Sequence, residues 1–395
     1  MDTKGISKLD LKRRNRRQIL LAIRQAGTLA RVDIASKLSL TRAAVTIITN
    51  QMINQNILED LNTPLPVSAD EPPKKGRKKT MIRINPTYRY PLGAVIEEDF
   101  VSVGISNLPL EAQYYEMMPL TDDTEADEII AFIVKSCKKL IKKAGLSGKQ
   151  ILGLGVGVIP SRWSQLRAEE NQDHQVHFSK LTYMLEMELS IPVCAANAVS
   201  LYAMANIPCG TSSTANQLLL YTGQNYHFAT VTDNMLVGGV FANTALVDRI
   251  VINPNGAKAK GYPDGSVHAE MIRDAVDQKV AKICGKKLSI DELNNAFDNK
   301  DPRIYDILER QLVMTAVLIH NLSIGHRTTT VIMQHFRPSE KAKKFLQAKL
   351  DSFCEKSGSI RIIYSPIDGD HAFLAGCALA AEKLFYDQGG LPTGE

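Results

Sequence analysis

Thr41, Arg42, Ala43, Thr46 and Thr49 have the residue types and spacing to meet the edges of nucleic-acid bases. They fall at the start or on the outer side of an inferred helix whose inner side is Val45, Ile48 and Met52, at steps of three and four. An arginine can pair with a guanine, and short hydroxyls or a methyl group can approach other base edges in a major groove. Such a helix needs a second one to set its angle. Ile34, Ala35 and Leu38 supply one apolar face just before it, Ala35 is small enough for a close crossing, and Leu40 follows at a tight turn. Residues 31–50 therefore read as a helix-turn-helix, with an ordinary helical hairpin as the plainer alternative.

Charge favours the first reading. Residues 1–90 hold 18 Lys/Arg against seven Asp/Glu, a net of +11, whereas the rest of the chain carries −6 within an overall +5. A basic head on a mildly acidic body favours a polyanionic partner, with binding that weakens steeply as salt rises. A first helix is expected over residues 10–26, with Ile19, Leu20 and Ile23 inward. Lys12, Arg13, Arg16, Arg17 and Arg24 are then available for phosphates, and Gly27 ends the helix. Residues 62–80, with four prolines and a basic end, read as the tip of a wing and a linker. Within it Lys74–Lys79 places Arg77 beside a glycine, which suits entry into a narrow minor groove or, equally, a soluble tether. Met81–Pro86 alternates like a strand.

The remaining composition excludes several classes. At 395 residues the chain needs two or three cores. No apolar run approaches the roughly 20 residues that span a bilayer, and the basic start lacks the apolar stretch of a secretion signal. The six cysteines (Cys137, Cys194, Cys209, Cys284, Cys354 and Cys377) are scattered, as expected for reduced thiols in cytosol. From residue 91, strand-like runs (92–96, 101–106, 151–159, 191–197, 217–222, 228–233, 235–241, 328–336 and 360–365) alternate with helical stretches. The helices are expected at 125–144, 198–206, 266–283, 288–297, 302–325, 338–356 and 371–386. This predicts an α/β body of two lobes with a cleft between them. His174 and His177 flank Glu169, Glu170 and Asp173, a pattern open to a metal but more simply a solvated loop. Trp163 either caps the cleft or packs.

Nearly end to end, the chain resembles the ROK family (repressors, open reading frames, kinases) in its winged-helix repressor branch. Arg31, Ile34-Ala35, Ser39-Leu40-Thr41 and Ala44-Val45-Thr46 stand at that branch's Arg, Leu-Ala, Gly-Leu-Ser and Thr-Val-Ser positions. Gly76-Arg77 and Asn85-Pro86 match its linker and its entry to the body. The resemblance adds Arg31 to the DNA-contacting set. Ser39 replaces a turn glycine, which implies some backbone strain. It also implies a body with the family's two-lobed, actin-like (ribonuclease H-like) ATPase/sugar-kinase fold, in which the chemistry is erased. Val95 stands where the first phosphate loop has its Asp, and only Gly223 survives of the second loop, now Gly223–Ala229. Pro160-Ser161 and Met333-Gln334-His335 replace two further glycine turns. Little or no ATP binding is expected.

By the same resemblance, Ala198 replaces the catalytic Asp, Leu246 the sugar-binding Glu, and Arg249 the His that binds zinc and sugar. Asn197 and Glu270 remain as sugar-contacting positions. The pocket is then either re-fitted to a sugar derivative or an anion paired with Arg249, or vestigial. The cysteine-rich zinc loop is replaced by Lys258–His268, where His268 alone cannot hold zinc. No metal and no cofactor are expected. Gly376-Cys377-Ala378 matches a small-residue stretch that permits close helix packing.

The fold expected is α/β: an N-terminal winged helix-turn-helix followed by the two-lobed actin-like body. The domains are 1–82 (winged helix and basic linker), 83–197 (small lobe, completed by about 378–395) and 198–377 (large lobe, dimerisation). The function expected is that of a bacterial, cytoplasmic, nucleoid-associated transcriptional regulator, not an enzyme. It would repress carbohydrate-related genes as a homodimer or dimer of dimers on a palindromic operator in double-stranded DNA. The alternatives are a sugar kinase with a DNA-binding head and a protein-recruiting regulator with no small-molecule effector.

Overall fold

Apolar runs and amphipathic helices sort into a helical head and a two-sheet body in the computed structural model, which describes residues 8–61, 80–173, 175–207, 216–242, 245–354 and 359–391. The head comprises α1 (Lys8–Ala26), β1 (Leu29–Ala30), α2 (Arg31–Leu38), α3 (Arg42–Asn54), β2 (Leu58–Leu61) and β3 (Met81–Ile84). Its three strands form an antiparallel sheet in the order β1-β3-β2. Ile19, Leu20, Ile23, Ile34, Val45, Met52 and Ile82 are fully buried between helices and sheet. The expected wing tip and linker, with Arg77, lie outside the described residues, as do His174 and Cys209.

The first body sheet uses β4 (Tyr90–Ile96), β5 (Phe100–Ser106), β6 (Ala112–Pro119), β7 (Ile151–Val158) and β10 (Val193–Asn197), in the order β10-β7-β4-β5-β6. Helices α4 (Ala126–Lys143) and α5 (Ser179–Leu189) accompany it, and the short pair β8 (Glu169–Glu170) and β9 (Val176–His177) lies in the connection. After α6 (Ala198–Asn206), the second sheet repeats the scheme with β11 (Gln217–Thr222), β12 (Tyr226–Thr232), β13 (Met235–Leu236), β14 (Ala245–Leu246), β15 (Thr330–Gln334) and β16 (Arg361–Tyr364). In each, the first strand pairs antiparallel with a hairpin partner and parallel with a later strand. The second sheet carries α7 (Val267–Met271), α8 (Arg273–Cys284), α9 (Ile290–Asp298), α10 (Tyr305–His326) and α11 (Glu340–Phe353). This duplicated α/β plan is the actin-like one.

The chain returns to the first sheet through α12 (Phe373–Ala381), all of whose residues are buried. It continues into a π-helical turn, Glu382–Tyr386. The helix lies so close to β4 and β7 that a Cβ on Gly155 would sit 2.0 Å from the Gly376 carbonyl oxygen. The small residues at 376–378 are needed for that approach.

Some elements differ from expectation. The run 235–241 is a strand only at Met235–Leu236, because Gly238 and Gly239 follow with φ of 77° and 78°. The single helix expected at 266–283 is two, broken at Ile272, whose ψ of 150° is extended. β2, α5 and β6 were not anticipated.

Candidate nucleic-acid interface

Helix α2 ends at Ser39, whose φ of 54° is the left-handed conformation that a glycine adopts more freely. Leu40 N donates to Ala35 O at 3.0 Å and closes the turn. Thr41 then caps α3, its Oγ1 accepting from Ala44 N at 3.2 Å. Thr41, Arg42, Ala43 and Thr46 are all exposed. Thr49 was expected outside and is fully buried, because its hydroxyl donates to Val45 O at 2.8 Å and accepts from Arg31 Nε at 3.1 Å. Arg31 also reaches Asn50 Oδ1 (3.2 Å) and pairs with Asp60 (3.1 Å). It clamps α2, α3 and β2 together and so holds the angle of α3.

Most of the basic face of α1 does not face outward. Lys12 is exposed and Arg13 half-buried. Arg16, expected at phosphates, is fully buried: its Nε donates to Gly389 O at 2.7 Å and its Nη2 to Gln55 Oε1 at 2.9 Å. Arg17 pairs with Asp387 (3.0 Å) and Glu382, and Arg24 pairs with Glu382 (2.8 Å) and lies over the Tyr386 ring. These three arginines dock the head onto the C-terminal segment of the body and leave the phosphate-contact set. Near them, Ile23, Arg83, Leu108, Glu111 and Tyr386 border a cavity of about 330 Å³.

In the cleft, the turn after β4 carries Glu97 and Glu98. Glu97 is buried and accepts from the hydroxyls of Tyr202 and, at 2.7 Å, Tyr221. Glu98 Oε2 accepts from Gln224 N at 2.7 Å, so a carboxylate of one lobe occupies the backbone donor of the other lobe's β11–β12 turn. His335, at a left-handed φ of 62°, stacks on Tyr221 and lies 3.6 Å from Asp368, which Arg337 also holds at 2.8 Å. Burial pushes Glu98 up to about 7, the Gln224 amide only partly opposing it. Burial works against a charged His335, but Asp368, Glu97 and Glu98 outweigh it and raise the imidazole to about 9. Glu97 is also raised, by burial.

These shifts set a pH dependence. Glu98 holds its proton longer in the fold than in the unfolded chain, so its contribution is complete below about 4.5 and is lost as pH rises through about 7. The His335 contribution is complete below about 6.5 and is lost as pH passes about 9. Thermal unfolding of the full chain from pH 5 to 9 is expected to show falling stability. His335→Gln should flatten the upper half of that slope, and an unchanged slope would remove His335 from the account.

The three expected effector contacts hold the protein itself. Asn197 caps α6 by accepting from Val199 N (3.0 Å) and donates to Ala242 O (3.2 Å). Arg249 donates to Gly261 O at 3.0 Å and lies over Tyr262, which stacks on His268 with ring centroids 3.6 Å apart. Glu270 accepts from Asn253 Nδ2 (2.9 Å) and Ala257 N (2.7 Å), with Lys279 and Arg310 nearby. Arg249 and Glu270 fasten the same loop, 253–266, while Asn197 fastens a different one. Trp163 packs edge-on against Phe178. Among the described residues, no three or more His, Cys, Asp or Glu are grouped to hold a metal ion, and no helix is long and apolar enough to cross a membrane.

A solved ROK family transcriptional regulator, described as a homologue of the E. coli MLC protein, superposes with a TM-score of 0.74. It covers 96% of this chain and 97% of its own at 17% identity. The chain has the fold of the ROK family regulators. ROK kinases share that fold over less of the chain. The hexokinase of Thermus thermophilus (TM-score 0.57, 13% identity) and the glucokinase of Streptomyces griseus (0.56, 12%) each cover 74% of it and nearly all of themselves. In sequence, the xylose repressor of Caldicellulosiruptor bescii is 22% identical over 148 residues, which is 38% of this chain but only 35% of that protein. No family model matches the chain.

Proposed function

We propose that this ROK-fold chain is a sequence-specific DNA-binding regulator, a repressor of carbohydrate-related genes, that has lost catalysis. The observation carrying this reading is the outer face of α3, where Thr41, Arg42, Ala43 and Thr46 are exposed at the end of a basic head. A fold shared with a transcriptional regulator over both head and body supports it, as does partial similarity to a xylose repressor. Lys12 and Arg13 serve phosphates, and Arg77 serves the minor groove. The head spans 1–82, the small lobe 83–197, and the large lobe the stretch from 198 up to α12; because α12 packs on the first sheet from Phe373 onward, the return to the small lobe comes at about 373 rather than at about 378. The large lobe supplies a homodimer whose two heads meet a palindromic operator, in the cytoplasm at the nucleoid.

Two observations argue against a working kinase. Ala198 stands in the base position and has no proton to exchange. Glu98 already accepts from the Gln224 amide, so the backbone donor that a phosphate would use there is taken. The engaged polar groups of Asn197, Arg249 and Glu270 favour a vestigial sugar pocket over a re-fitted one. ATP turnover with a panel of sugars tests this directly, and turnover abolished by Asn197→Ala would reinstate the kinase.

The DNA reading is tested by enrichment of genomic fragments with the full chain at physiological ionic strength. Arg42→Ala is expected to cost about 1–3 kcal/mol of operator affinity and to relax the preference at one position. Equal weakening on every sequence would move Arg42 to the phosphate backbone. Enrichment of no fragment overturns the proposal.

A further inference from the structure

The outer face of α3 holds one residue that base-edge chemistry in the sequence did not single out. Ile47 is 59% exposed, and no other large apolar side chain on α3 is exposed. A β-branched residue gains little in a helix on propensity grounds, and this one packs into no core. Its surroundings have limited hydrogen-bonding capacity left. The Thr46 hydroxyl donates to Arg42 O at 2.8 Å, the Thr41 hydroxyl caps Ala44, and Asn50 Oδ1 accepts from Arg31. Ala43 lies one turn before Ile47 on the same side and is also exposed. The centre of the face is therefore an apolar strip between Arg42 at one end and Asn50 at the other. Residues 42–55 contain no acid that would repel a phosphate backbone.

In a major groove, one base carries an apolar group at its edge: thymine, with its C5-methyl. We propose that Ile47 is a specificity-determining residue that packs on a thymine methyl of the operator, with Ala43 flanking the same contact. This rests on the DNA-binding reading above. An apolar protein surface is the competing occupant of the strip, and DNA chemistry separates the two.

The experiment selects duplexes bound by the full chain from a random pool and then replaces each thymine of the selected site, one at a time, with deoxyuridine. That exchange removes only the methyl. At one or two positions binding is expected to weaken about three- to fivefold, the value of one methyl withdrawn from apolar contact. Ile47→Ala is expected to bind the thymine site about as weakly as wild type binds the uracil site, and to be indifferent to the exchange. Its unfolding temperature should match wild type, because the side chain supports no core. Wild-type binding that ignores every exchange overturns the assignment, as does an Ile47→Ala variant that still senses the methyl. Those results leave the DNA reading intact, whereas a pool that yields no selected site removes both.

Discussion

Gly155→Ala is expected to prevent the body from reaching its native packing. The added Cβ would lie 2.0 Å from Gly376 O and 2.9 Å from Ala380 N, both backbone atoms of α12. A flexible side chain could swing aside, but a helix buried over its full length cannot. Relief requires lifting α12 off β4 and β7, which opens the core formed with Val95, Val199 and Phe373. Overpacking usually costs about 1–3 kcal/mol. Here the clash is with the main chain of α12 at two residues, and a loss on the order of 4–5 kcal/mol is expected. Denaturant unfolding of the full chain measures it. Gly148→Ala is the control, since a Cβ there meets nothing within 4 Å. A Gly155→Ala midpoint equal to wild type would show that α12 does not bear on β7 as described.

Arg16→Leu is the second large effect, and it separates head from body. The substitution removes the donors to Gly389 O and Gln55 Oε1; the buried Gly389 carbonyl loses that partner, whereas the exposed Gln55 amide can turn to water. Hydrogen bonds from a charged group are each worth about 1.5–3 kcal/mol. Part of that is offset because burial already disfavours the guanidinium charge and its Nη1 has no hydrogen-bond partner. A net loss of about 2–3 kcal/mol remains. Arg17→Ala, at a half-exposed ion pair, should cost under about 1 kcal/mol. Hydrogen exchange is the direct readout. Faster exchange in both α1 and the segment 382–391, with the body sheets unchanged, is expected for Arg16→Leu. Protection equal to wild type would mean the contact does not pin the head.

Legibility in the sequence followed the range of the interactions. Ile34, Ala35, Val45 and Met52 were readable as core because helix periodicity is local. Ser39 was readable as a left-handed turn residue for the same reason. Thr49 was not, since its type suits a surface and only the partner Arg31, on another helix, draws it inward. The docking role of Arg16, Arg17 and Arg24 was hidden because their acceptors lie more than 350 residues away. β6 is an edge strand with no buried residue, so its sequence carries no clear alternation, and the outward Tyr183 and Met187 blur the apolar face of α5. The family resemblance drew attention to the turns at 93–97 and 223–229, where erased phosphate loops were expected. It gave no sign of Glu98 on Gln224, a contact between two turns on different sheets. Ile47 was passed over because an isoleucine invites assignment to a core, and only its exposure in the fold places it on the outer face.

The pin between Arg16 and Gly389 joins residues 373 positions apart. Translation proceeds from the N-terminus, so the helix-turn-helix leaves the ribosome while its seat on the body does not yet exist. During that interval the three arginines on α1 lack their carboxylate and carbonyl acceptors, and their charge is open to any polyanion nearby. Final seating of the head therefore waits on residues 382–391, and the geometry of the proposed DNA-contacting face is set only once they have been made.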